Sequence, residues 1–323
     1  MAVEVCYKSL NILKYAHLII TTTMNRDITE HLYRNCTEPC DSLSEINKKL
    51  FAFIDKKFVD EFIKVVREHS QVRTPKYPVE YYLYHILLVL NNVVKWSSLV
   101  DIRTVANSKP SHYKTIHAKH IEWSHKDLYK KTFIIMNKKY HSHLWDGHNI
   151  LNLLIDTTTI YNSYGQENIG YGGNPKKQES RLSAICDVNK NIYSLTLVKS
   201  IQRTDTMKTL PNDNRTVESS VKELKHYFKD KEVNVIGDKG YAMTLQDRVR
   251  LKNKYTVNMI YPNKRNQKAH TPDEYKPLLA VSYHIENLFA DLKKYNRICR
   301  RQDKLECTYM GFVYLAAMLR FKF

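Results

Sequence analysis

The chain has 323 residues, 43% of them hydrophobic, enough to bury a full core in one large domain with a smaller companion. Its 51 Lys and Arg against 33 Asp and Glu leave a formal charge of +18, which points to a polyanionic partner, nucleic acid ahead of an acidic membrane surface. The longest apolar runs, such as Ile86 to Leu90, fall far short of the roughly 20 residues of a spanning helix, and the N-terminus carries no signal-peptide pattern, so no membrane role is expected.

Residues 1–149 read as an all-helical region. Phe51 to His69 is amphipathic, and Leu83, Ile86, Leu87, Leu90, Val93 and Val94 recur at helix spacing. Ser108 and Pro110 are start signals for a helix reaching Trp123, with Tyr113, Ile116, His120 and Trp123 on one face and His112, Thr115 and Lys119 on the other. That pattern suits the second helix of a helix-turn-helix, with Lys114 and Lys119 on DNA phosphates, and it suits equally an ordinary bundle helix with a solvated basic face. His117, His120, His125, His141 and His143 crowd this region, but without neighbouring cysteines they read as solvated or hydrogen-bonded, not as a zinc site. The six cysteines are scattered, with no Cys-x-x-Cys unit, and read as reduced thiols inside a cell.

From Ile150 the pattern changes to short, β-branched apolar runs. Ile150 to Ile160, Arg181 to Asp187 and Ile192 to Ile201 are expected strands. A helix over Val217 to Lys229, a strand over Glu232 to Gly237, a helix over Thr244 to Asn253 and a strand over Tyr255 to Tyr261 follow. Helices over Val281 to Arg297 and Thr308 to Phe321 would cover the sheet, the last through Phe312, Leu315, Ala316 and Leu319. The expected fold class is therefore α/β, a mixed five-stranded sheet flanked by helices over residues 150–323, preceded by the helical region of residues 1–149.

Six of the eight glycines fall within Gly165 to Gly173 and Gly237 to Gly240, each cluster close to an aspartate. Asp156 ends the run Leu153-Leu154-Ile155, and Asp238 closely follows Val233-Asn234-Val235-Ile236, so both carboxylates leave the edge of a buried strand. A charge in such a place needs a partner, and oxygen-coordinated divalent cations supply one. Glu286 borders the apolar stripe Ile285, Leu288, Phe289 and Leu292 of a helix and can face the strands. Together the three acids could clamp two metal ions about 3.5 to 4 Å apart, the arrangement of phosphodiester chemistry. Singly, each has an ordinary reading as a turn Asp or a solvated helix Glu. Asp187 reads as a turn residue, and Asp205 lies in a polar loop that could also come near the site.

The chain from about Leu151 onward resembles the DDE transposases of insertion sequences and their relatives, members of the ribonuclease H-like superfamily. The resemblance lies in Leu154-Ile155-Asp156-Thr157-Thr158, in the Ile169-Gly170 turn leading to Lys176-Lys177, and in Val235-Ile236-Gly237-Asp238-Lys239-Gly240-Tyr241. It continues through Ile285-Glu286-Asn287-Leu288-Phe289-Ala290-Asp291-Leu292-Lys293, then Arg297, Arg300 and Arg301, and Gly311-Phe312-Val313-Tyr314-Leu315-Ala316. It implies that Asp156, Asp238 and Glu286 are catalytic metal ligands for two Mg²⁺ or Mn²⁺ ions, and that Lys293, about two turns beyond Glu286, contacts element-end DNA. Where the family often carries an arginine before the glutamate, Ser282 stands, with His284 nearby; Leu279 occupies a position often held by tyrosine.

Lys176, Lys177, Arg181, Lys239, Lys264, Arg265 and Arg297 are further expected DNA contacts, although any single lysine also reads as a solvated charge. The activity implied is metal-dependent cleavage at the terminal inverted repeats of an element, followed by strand transfer into target DNA. The partner is double-stranded DNA, engaged by a homodimer or larger assembly within a bacterial cytoplasm or a eukaryotic nucleus. Two other functions fit the same residues: a transposase-derived DNA-binding regulator, and a ribonuclease H-like nuclease without strand transfer.

Overall fold

The computed structural model describes residues 50–51, 54–69, 77–91, 95–101, 112–148, 150–171, 178–204, 207–228, 231–262 and 275–321. In chain order, helices α1 (Lys56–His69), α2 (Val79–Leu90), α3 (Tyr113–His125) and α4 (Leu128–His141) lead into strands β1 (Ile150–Asn162), β2 (Gly170–Tyr171), β3 (Gln178–Cys186), β4 (Ile192–Leu197), β5 (Ile201–Thr204) and β6 (Met207–Thr209). Helix α5 (Val217–Val221), strand β7 (Glu232–Ile236), helix α6 (Leu245–Tyr255) and strand β8 (Val257–Ile260) follow. The chain closes with α7 (Lys276–Ala280), α8 (Tyr283–Leu292), α9 (Asn296–Cys299), the two-residue strand β9 (Arg300–Arg301) and α10 (Glu306–Met318). Before residue 149 the described residues form helices and turns with no strand, as expected.

The chain divides into two compact units, Met1–Phe53 with Glu80–His117, and Ile54–Val79 with Ala118–Phe323. In the first, α2 is buried from Tyr81 through Leu90, the behaviour of a helix that is apolar on every side. The Trp96 and His117 rings lie 4.8 Å apart in the same unit.

The second unit holds the sheet. Its centre runs β4–β3–β1–β7–β8, with β1, β3 and β4 antiparallel and β1, β7 and β8 parallel. This mixed order, with helices on its faces, is the α/β fold class expected. The short strands β2, β5, β6 and β9 extend its margins, making nine among the described residues where five were expected. The run expected to continue from Ile192 to Ile201 stops at Leu197, and Ile201 opens β5.

Leu153, Ile155 and Val235 share one core cluster with Val221, Phe228 and the α6 residue Leu251. Successive strand side chains alternate between faces, so Asp156 points to the opposite side from Ile155 and Thr157 returns to the core side. Helix α8 lies against β1 and β3, and α10 against β4, where the Tyr314 hydroxyl donates to the Leu195 carbonyl at 3.1 Å. The α4 residue Asn137 donates to the Ile192 carbonyl at 2.9 Å, fastening that helix to the start of β4. Phe62 of α1 meets Trp123 at 5.1 Å and Tyr129 at 5.3 Å, offset and edge-on contacts that favour aromatic packing.

Two helices are shorter than their patterns predict. The expected helix over Val217 to Lys229 becomes α5 followed by a 3₁₀ turn, Lys222–His226. The one over Val281 to Arg297 ends at Leu292, the last residue of its buried stripe, and resumes as the single turn α9.

Candidate active site

The parallel pairing of β1 with β7 runs from Ile150 opposite Glu232 to Leu154 opposite Ile236. Asp156 lies two residues past Leu154, and Asp238 two residues past Ile236. The two carboxylates therefore leave neighbouring parallel strands at one level, because equal offsets from a paired position rise equally along parallel strands.

Asp156 accepts the Thr157 N–H at 2.7 Å. Burial first, then the charges of Asp238, Asp213 and Glu286, push its carboxyl up to about 6 against the pull of that hydrogen bond. A carboxylate raised in this way is chiefly buried and, second to that, close to other carboxylates. Glu286 is exposed in the first turn of α8, whose buried stripe of Ile285, Leu288, Phe289 and Leu292 orients the helix.

Asp238 opens the 3₁₀ turn Lys239–Tyr241 and accepts the Gly240 N–H at 2.7 Å. A Cβ at Gly240 would stand 2.8 Å from Asp213 Oδ2 and 2.9 Å from Asp238 Oδ1, so only glycine lets both carboxylates approach. Tyr241 is fully buried just beyond, with its hydroxyl beside Thr157. Burial, then the charges of Asp156, Asp213 and Asp238, push this phenol far above its ordinary pKa.

Asp213 was not singled out from the sequence. It sits in Pro211-Asn212-Asp213-Asn214, a composition that signals a turn and nothing more. Asp187 is the turn residue expected of it, accepting from the Asn191 backbone and side chain and from Tyr193.

Among the described residues, no group of three or more His, Cys, Asp or Glu side chains is arranged to hold a metal ion. The chemistry of Asp156, Asp238 and Glu286 nonetheless suits a hard cation, since all three offer carboxylate oxygens. Mg²⁺ in particular is commonly held by one or two carboxylates together with water and substrate phosphates, not by a complete protein cage.

The basic residues separate into three groups. Lys239 is exposed beside Asp238, and Lys293 is half-buried at the C-terminal cap of α8. Arg181 is directed inward, donating to the Pro211 carbonyl at 2.9 Å and pairing with Asp213 at 3.3 Å. Arg297, expected on DNA, is corrected by the structure: it is buried, paired with Asp303 at 3.2 Å, and its guanidinium lies 5.0 Å over the Phe312 ring. Arg301 is likewise fully buried, donating to the Asp303, Glu167 and Lys304 carbonyls. Lys176, Lys177, Lys264 and Arg265, and with them Asp205, lie outside the described residues.

No protein-family model and no curated protein matches the chain. Among solved structures it is similar to a piggyBac transposase synaptic complex with hairpin DNA, at 10% identity and TM-score 0.41, over 88% of this chain and 75% of that one. It is also similar to the Mos1 mariner paired-end complex with Mn, at 12% identity and TM-score 0.26, over 86% of this chain and 91% of that one. The Mos1 strand transfer complex gives 11% identity and TM-score 0.23, over 77% and 79%.

Proposed function

We propose that the chain is a DNA transposase of the DDE type, cleaving phosphodiester bonds at the ends of its own element and joining the freed 3′-hydroxyl to target DNA. The observation that carries this reading is the shared level of Asp156 and Asp238 on adjacent parallel strands, with the charge of Glu286 reaching Asp156. The resemblance of the surrounding motifs and the charge of +18 support it.

Asp156, Asp238 and Glu286 would hold two Mg²⁺ or Mn²⁺ ions. Such ions supply Lewis acidity at the attacking and leaving oxygens of an in-line displacement. The chain's own part would be to bring oxygen donors from β1, the turn after β7 and α8 together, while Lys239 and Lys293 neutralise phosphates. Lys176, Lys177, Lys264 and Arg265 are proposed as further phosphate contacts. Arg297 is not, because its guanidinium is engaged with Asp303. End recognition is assigned to the residues before Ile150, and synapsis of two ends to a homodimer or larger assembly.

The test is incubation of the purified protein with element-end duplex and Mg²⁺ or Mn²⁺. Cleavage followed by joining supports the proposal. Cleavage without joining indicates a nuclease, and binding without cleavage indicates a DNA-binding regulator.

A further inference from the structure

We propose that Asp213 is a positioning residue, a brace that sets the gap between Asp156 and Asp238. This rests on the metal-dependent reading of those two acids and adds a residue to it.

Asp213 begins the 3₁₀ turn Asp213–Arg215, between β6 and α5, away in sequence from both Asp156 and Asp238. Its two oxygens serve different neighbours. Oδ1 accepts the Thr157 hydroxyl at 2.7 Å and the Arg181 guanidinium at 3.3 Å. Oδ2 faces Gly240, close to the point from which Asp238 Oδ1 is equally near. One carboxylate thus bonds the middle of β1 through Thr157 and lies beside Gly240 in the turn after β7.

Thr157 makes the coupling direct, since its N–H holds Asp156 while its hydroxyl holds Asp213. On the other side Gly240 holds Asp238 through its N–H, and Asp213 lies close beside that glycine. The brace is itself anchored. Arg181 grips the turn at Pro211 as well as at Asp213, and Asn214 donates to the Ala242 carbonyl at 3.2 Å, beyond Tyr241. Arg181 also balances the charge that a further carboxylate brings to the site. Residues that orient metal-binding carboxylates in this way typically change metal affinity by about 10- to 100-fold when removed.

The experiment measures Mn²⁺ binding to the full chain by calorimetry or electron paramagnetic resonance, with metal-free thermal unfolding recorded for every variant. Asp156→Asn is the reference and should abolish binding. Asp213→Ala and Thr157→Val should each weaken it about tenfold. Thr157→Ser, which keeps the hydroxyl, should bind as the parent does. The double variant should lose little more than either single one, because both break the same link. Asp213→Asn keeps an acceptor for Thr157 and should melt near the parent temperature and bind Mn²⁺ more tightly than Asp213→Ala does, which separates positioning from folding.

Parent-like affinity in Asp213→Ala and Thr157→Val, alongside loss in Asp156→Asn, overturns the brace and leaves the metal site standing. Failure of Thr157→Ser to restore affinity also overturns it. Unchanged binding in Asp156→Asn overturns the metal reading itself, and the brace with it.

Discussion

Asp303 accepts a hydrogen bond from Arg297 at 3.2 Å, with both side chains almost fully enclosed. Removing one partner of such a pair strands the other charge in a poorly solvated place. Arg297→Ala should therefore lower stability by about 3 to 5 kcal/mol. Denaturant unfolding checks this. Unchanged stability with lost DNA affinity would return Arg297 to the DNA-binding surface.

Gly240 should tolerate alanine as a fold and not as an enzyme. The added methyl would press on Asp213 Oδ2 and Asp238 Oδ1, both ends of movable side chains, in an exposed turn. Displacement of a reacting group by about 1 Å can cost roughly a hundredfold in rate. Gly240→Ala is expected to lose cleavage on that scale while its unfolding midpoint stays close to the parent value.

His85 gives the first unit a dependence on pH. Burial lowers its pKa from 6.5 to about 4, opposed by its hydrogen bond to the Tyr81 carbonyl. The unfolded chain then binds a proton that the folded chain refuses, so stability is complete above the unfolded value and drains away as pH falls through this window. The full effect is on the order of 3 kcal/mol. Urea unfolding of the parent and of His85→Gln at pH 7 and at pH 4.5 should show a smaller acid loss in the variant.

Much of the architecture was legible because buried strands impose β-branched runs and α1, α8 and α10 impose their apolar residues. Asp156 and Asp238 stood out as acids at or just beyond the close of such runs, and Glu286 as a residue beside an apolar stripe. The strands β2, β5, β6 and β9 span two to four residues each, too short to carry a period. Asp213 was hidden because its turn looks like any other turn, and its role depends on Thr157 and Gly240, 56 residues before it and 27 after it. Arg297 read as a DNA contact because its burial beside Asp303 and the Phe312 ring is a tertiary fact.

The charge of +18 should make DNA binding strongly dependent on salt. Lys239→Ala and Lys293→Ala are expected to reduce the slope of log affinity against log salt by about one each, with similar losses across DNA sequences. Fluorescence anisotropy over a salt series measures this. A slope unchanged in both variants would remove these lysines from the interface.

The most direct test of the central claim is cleavage of element-end DNA in Mn²⁺ by the parent and by Asp156→Asn, Asp238→Asn and Glu286→Gln. Each substitution should lower the cleavage rate by about a thousandfold or more, equivalent to roughly 4 kcal/mol of transition-state stabilisation, while metal-free stability is retained. Parent-like cleavage in any one of the three would contradict the assignment of that acid to the site and, with it, the shared metal centre.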